Sequence, residues 1–128
     1  MMDEAARLDL VERYIAAYNR FDVDGMLALL APGIRFENHA GGQLTAQADG
    51  IDGFRQLAEH AAALFREREQ RVIARRSEAG RVVVEIAYRG VLAADIADGP
   101  KAGSVLEMIG RSEFAFADGK IGLIVDRS

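Results

Sequence analysis

The chain contains no cysteine and no tryptophan, and only two prolines and two histidines among its 128 residues. Without cysteine there is no disulfide framework, no thiolate nucleophile and no Cys-ligated zinc. His39 and His60 are not in HxxxH or HxH spacing, so no metal site is expected. The glycine-rich stretches "GGQ" and "DGPKAG" lack the P-loop pattern and do not join a strand to a helix, so no phosphate cradle and no cofactor is expected. No window approaches the ~18 apolar residues of a membrane span. An excess of positive charge is also missing: 20 acidic against 16 basic residues leave a net charge of −4, which gives nucleic acid no electrostatic footprint. The densest basic stretch, "REREQRVIARR" from Arg66 to Arg76, mixes signs and reads as a solvated face. An acidic N-terminus, "MMDEAARLDL", with no long apolar run points to a cytoplasmic protein that does not engage a membrane.

What is present is ordinary globular material, 50% apolar and 28% charged, in a length that suits one domain over residues 1–128. Such a chain buries roughly two-thirds of its unfolded surface. Leu8, Val11, Ile15 and Tyr18, widened by Leu10, Tyr14 and Ala17, repeat with a helical period. Asp22 caps a short second helix, "DGMLALL", which "APG" ends. In "IRFEN" the period becomes two, with Ile34, Phe36 and Asn38 on one face and Arg35, Glu37 and His39 on the other. "HAGGQLTAQADG" reads as a loop or a frayed hairpin before a third helix whose apolar face carries Ile51, Phe54, Leu57 and Leu64, with His60 expected partly buried among them. Strands follow in "QRVIARR", "RVVVEIAYRGVL", "SVLEMIGRSEFAF" and "GKIGLIVDR", divided by "SEAG", "DGPKAG" and "ADG". The inward faces should hold Val82, Val84, Ile86 and Tyr88 on one strand and Leu106, Met108, Ser112, Phe114 and Phe116 on another. Helices first and strands later imply an α+β fold in which helices cover one face of a curved antiparallel sheet.

This order resembles the nuclear transport factor 2-like superfamily, and two stretches carry the resemblance. "VERYIAAYNRFDVDGMLALLAPGIRFEN" resembles the opening of bacterial ketosteroid isomerases, and "GVLAADIADGPKAGSVLEMIGRSEFAFADGKIGLIVD" resembles the last three strands of SnoaL-like polyketide cyclases. The resemblance implies a cone-shaped curved antiparallel sheet wrapped by three N-terminal helices, a homodimer paired through the outer face of the sheet, and a pocket for a small hydrophobic, polyketide-like or steroid-like molecule. It places Tyr14 on the isomerases' oxyanion-hole tyrosine. It places their general base on Asn38 and their second oxyanion donor nearest Ser112. An amide has no basic lone pair at neutral pH, so the steroid isomerase route is not expected. Asp126 matches the acid that SnoaL-like cyclases use in ring closure and that limonene epoxide hydrolases use to activate water. The second acid of those hydrolases falls on Asp95, but their arginine falls on Ala93.

By local pattern alone Asp126 is either a terminal surface charge beside Arg127 or an acid turned into a pocket; the resemblance favours the pocket. The catalytic candidates are therefore Asp126, Tyr14 and Asn38, although Tyr14 suits any apolar core and Asn38 equally suits a structural hydrogen bond to the following loop. Tyr18, Phe36, His39, Phe54, Val84, Ile86, Met108, Ser112 and Phe114 are the candidate substrate contacts. The expected activity is cofactor-free acid/base chemistry of cyclase, isomerase or hydrolase type. The alternative is a non-catalytic binding or interaction module that has kept the cone without paired acid/base groups.

Overall fold

A computed structural model describes residues 2–128. Helix α1 runs Glu4–Asn19; the Asp3 carboxylate accepts the Ala6 N–H at 2.8 Å and caps it. Its apolar stripe buries Leu10, Val11, Tyr14, Ile15 and Ala17. Helix α2, Val23–Leu27, starts in the same way, with Asp22 accepting from the Gly25 N–H at 2.9 Å.

Strand β1 spans Leu30–Ala40 and so begins before Ile34, where alternation first shows in the sequence. Pro32 and Gly33 lie inside it, and the pairing register breaks between Leu30 and Arg35, as a residue without an N–H donor requires. The glycine-rich segment is a paired hairpin rather than a loop. Gly41 and Gly42, at φ 59° and 79°, make a two-residue turn into β2, Gln43–Asp49. Helix α3, Gly50–Leu64, passes directly into β3, Phe65–Glu78, five residues before the strand expected at Gln70. It buries Phe54 but leaves His60 exposed, so His60 is not the partly buried histidine expected on this helix. Strands β4, Arg81–Leu92, β5, Val105–Ala117, and β6, Lys120–Arg127, complete the chain.

The six strands form one curved, unclosed sheet in the order β2-β1-β6-β5-β4-β3. Strands β3 to β6 are the expected antiparallel meander, while β1 joins β6 in parallel, which its large sequence separation permits. Helix α1 lies on β3 and β4, and α3 on β1 and β2. Between them Ile34, Val82, Val84, Phe114, Ile121 and Ile124 are almost completely removed from water. The expected alternation holds for Val84, Ile86 and Phe114 inside and for Glu85 and Glu107 outside. Met108 differs: it is 43% exposed, because it borders an open cavity instead of packing beneath a helix.

Candidate functional site

Register determines which side chains meet. Ser112 on β5 is opposite Asp126 on β6, and Asp126 is opposite Asn38 on β1, so three polar residues form one cross-strand row. Val84 extends the row on β4. A cavity of about 120 Å³ opens along it, lined among others by Asn38, Ile86, Tyr88, Met108, Ser112 and Asp126. Asp126 is thus directed into a pocket and is not a frayed terminal charge. The parallel β1–β6 pairing holds the C-terminal strand in place, with the Ser128 N–H on the His39 carbonyl and the Ser128 carbonyl on the Gly41 N–H.

Ser112 Oγ donates to Asp126 Oδ1 at 2.6 Å. Burial raises the Asp126 carboxyl to about 6, with the Ser112 hydrogen bond pulling the other way. A carboxyl with that value exchanges protons near neutrality, which is what an acid/base group requires. The shift also makes stability depend on pH. A folded-state pKa above the unfolded value near ~3.9 means that the folded chain holds the proton more tightly. The stabilisation is complete below about pH 4 and is lost as pH rises through about 6, by ~3 kcal/mol at most. Other groups titrate in the same window, so the diagnostic quantity is the difference between wild type and Asp126→Asn in urea unfolding. Wild type should lose ground to the variant between pH 4 and pH 7, and parallel curves would show that the carboxyl is not desolvated.

Tyr14 is 5% exposed, its ring edge-on to Phe54 at 6.4 Å and to Phe114 at 5.8 Å. Burial, followed by the nearby charges of Asp126 and Tyr18, raises its hydroxyl well above the ordinary value, so it remains a proton donor. Asn38 both lines the cavity and donates to Thr45 Oγ1 at 2.8 Å, tying β1 to β2 beside the register break at Asn38 and His39. Tyr14, Tyr18 and the candidates that follow lie outside the cavity lining. Phe54, Val84 and Phe114 are core, and Phe36 packs edge-on to Phe54 at 5.7 Å. His39 is bonded to Glu37, Nε2 to Oε1 at 2.8 Å, on the other side of β1; hydrogen bonds from His39 and Arg35 hold the Glu37 carboxyl below its usual range. Asp95 is exposed in a turn, accepting the Ala102 N–H at 2.8 Å.

Two features escaped the sequence pattern. Tyr88, read only as an inward strand residue, lines the cavity, and its hydroxyl lies 2.9 Å from that of Tyr18. Arg68, hidden in a charge run read as a solvated face, is 6% exposed. Alternation counted from Phe65 turns Arg68 outward; a bulge between Phe65 and Glu67 shifts the face, so that Arg68 and Gln70 stand inward opposite Gly90 and Tyr88.

Residues 11–123 match the family model of the SnoaL-like domain. Among solved structures, a candidate polyketide cyclase of Xanthomonas campestris pv. campestris superposes with a TM-score of 0.85 at 24% identity, covering 97% of this chain and 90% of its own. AclR, a candidate hydroxylase from Streptomyces galilaeus, gives 0.77 at 21% identity, with 97% and 89% covered. TerC, co-crystallised with polyporic acid, gives 0.75 at 15% identity, with 94% and 89% covered. At these identities the likeness is one of fold. No curated protein sequence matches the chain.

Proposed function

Because the chain belongs to the SnoaL-like domain family, we propose that it is a cofactor-free enzyme in which Asp126 exchanges a proton with a small, largely apolar molecule held in the cavity. The observation that carries this reading is the partly buried Asp126 carboxyl, raised to about 6 and aligned by Ser112 at 2.6 Å on the wall of a cavity. Burial places its proton affinity near neutrality, and the Ser112 hydroxyl fixes which oxygen is occupied and leaves the other for the substrate. Tyr14, the donor that the resemblance offers, is buried in the core outside the cavity lining and takes no part in this reading. The reaction class is cyclase, isomerase or hydrolase, the first in line with the polyketide cyclase description of a protein of this fold.

One observation favours a binding module instead: the position a base would hold on β1 is Asn38, and its amide is engaged by Thr45. A ligand-bound crystal structure separates the two. A polar group within hydrogen-bond reach of Asp126 supports chemistry, whereas an apolar ligand without such a contact supports binding alone.

A homodimer through the outer face of the sheet belongs to this reading. That face exposes Ile109 at 66%, Val105 at 49% and Ile73 at 46%, set among charged residues. Val83, expected on the same surface because it alternates with the inward Val82 and Val84, is already buried within the chain at 3% and adds nothing to it. Light scattering at micromolar concentration should give twice the 13.9 kDa chain mass. A monomer mass would leave no interface of the ~1,200 Å² that stable pairs bury.

A further inference from the structure

Arg68 carries a full charge inside the fold without a carboxylate to answer it. It is 6% exposed and, among the described residues, no acid lies within ion-pair distance. Its guanidinium is stacked over the Tyr18 ring at 3.7 Å and the Phe21 ring at 4.5 Å, and Nε donates to the Tyr18 carbonyl at 3.0 Å. That carbonyl is at the C-terminal end of α1, where a cation is favoured. Nη2 is buried and has no partner. These contacts hold the guanidinium but do not neutralise it, and an uncompensated buried charge costs several kcal/mol. A negative charge arriving with a ligand would offset that cost.

The route from Arg68 to the cavity passes through two hydroxyls. The Tyr18 hydroxyl meets that of Tyr88 at 2.9 Å, and Tyr88 is on the cavity wall together with Gln70. The pair is rigidly placed. The Tyr88 ring is edge-on to Phe65 at 5.9 Å, and α1 is fastened to β3 by Asn19, which accepts the Gln70 N–H at 2.8 Å and donates to the Gln70 carbonyl at 3.1 Å. When Tyr18 donates to Tyr88, the Tyr88 proton is free to point into the cavity. The Tyr18 and Phe21 rings cover the guanidinium, so a ligand meets one hydroxyl rather than an arginine fork. A single oxygen therefore fits better than a carboxylate.

We propose that Tyr88, backed by Tyr18 and Arg68, is an oxyanion subsite that selects ligands bearing an acidic hydroxyl, a phenol or enol whose ionised oxygen accepts the Tyr88 proton. Tyr88 contacts the ligand; Tyr18 and Arg68 are positioning residues. Burial keeps both tyrosines protonated, since it raises each hydroxyl above its ordinary value, with Arg68 pulling the other way. Of the ionisable side chains lining the same cavity, Asp126 opposes an anion, while Arg111 and Arg127 favour one. This subsite rests on the reading of the cavity as a small-molecule site and does not depend on catalysis by Asp126.

The test uses 4-nitrophenol, whose phenolate absorbs in the visible, and 4-nitroanisole, which cannot ionise. Wild type should bind the phenolate more tightly than the ether and increase the phenolate band of the bound probe. Tyr88→Phe should weaken phenolate binding by about 10- to 100-fold, the loss of one hydrogen bond to a charged acceptor, and leave the ether unaffected. Arg68→Lys should retain the band and Arg68→Met should lose it, a contrast that packing alone would not produce. Asp126→Asn removes the opposing charge and should keep or strengthen the band, so failure of the acid/base reading would leave this test intact. Equal affinity for phenolate and ether, or a preference that survives Tyr88→Phe in a folded protein, would overturn the subsite.

Discussion

On the proposed acid/base role, replacing Asp126 by Asn is expected to lower kcat by ~10²- to 10⁴-fold, the usual contribution of a positioned general acid or base. The substitution is nearly isosteric. It keeps an oxygen for the Ser112 hydroxyl, which donates at 2.6 Å, and the backbone pairing of β6 with β1 and β5 does not involve the side chain. What disappears is the titrating group. Where the first step is proton abstraction, kcat/KM in wild type should rise with a midpoint near the Asp126 value of about 6, and the residual rate of the variant should be flat across that range. The melting temperature at pH 8 should hold or rise by a few degrees, because the desolvated charge is gone. Turnover that survives Asp126→Asn but collapses in Asp95→Asn or His39→Ala would assign the chemistry elsewhere. The structure argues against that outcome, since Asp95 is spent on a turn and His39 on Glu37.

Helices and strands were legible in this sequence wherever periodicity was clean. The α1 stripe, the Asp22 cap and the Val84 to Ile86 alternation each follow from one local rule and match the structure, whereas the outward-phased Val83 is buried as well. Errors arose where two signals competed. Pro32 and Gly33 read as a stop, but tertiary pairing of Leu30 with Ile121 starts the strand ahead of them. Most of the Arg66 to Arg76 run is indeed exposed, and the bulge after Phe65, which no local pattern reports, turns Arg68 beneath α1. The polar row was only half legible. Asn38 and Ser112 were visible as inward residues of their own strands, but Gly122 and the apolar run around it obscured which way Asp126 faces. No local pattern reports that a C-terminal strand will pair in parallel with the first strand, and that pairing sets Asp126 between Ser112 and Asn38.

Phe114→Ala should destabilise the protein by about 3–5 kcal/mol, the range for deleting a buried aromatic ring. Phe114 is 1% exposed and is paired in register with Val82 on β4 and Ile124 on β6, both at 0%. Its ring also meets Tyr14 edge-on at 5.8 Å with the planes at 71°. Such a loss is a large fraction of the 5–15 kcal/mol that holds a domain together. Phe114→Leu retains most of the volume and should lose less than ~1.5 kcal/mol. The comparison decides between two roles, because the sequence assigns Phe114 to the substrate wall while the structure places it in the core between Tyr14 and the sheet. A core residue predicts a lowered urea midpoint in the alanine variant and an unchanged KM in the leucine variant. A wall residue predicts the reverse: both variants would keep the unfolding midpoint near wild type, and KM would rise as the ring is trimmed. The T-shaped contact makes the first outcome the expected one, because removing the ring takes away the edge that holds Tyr14 and opens an apolar void beside it that water does not fill.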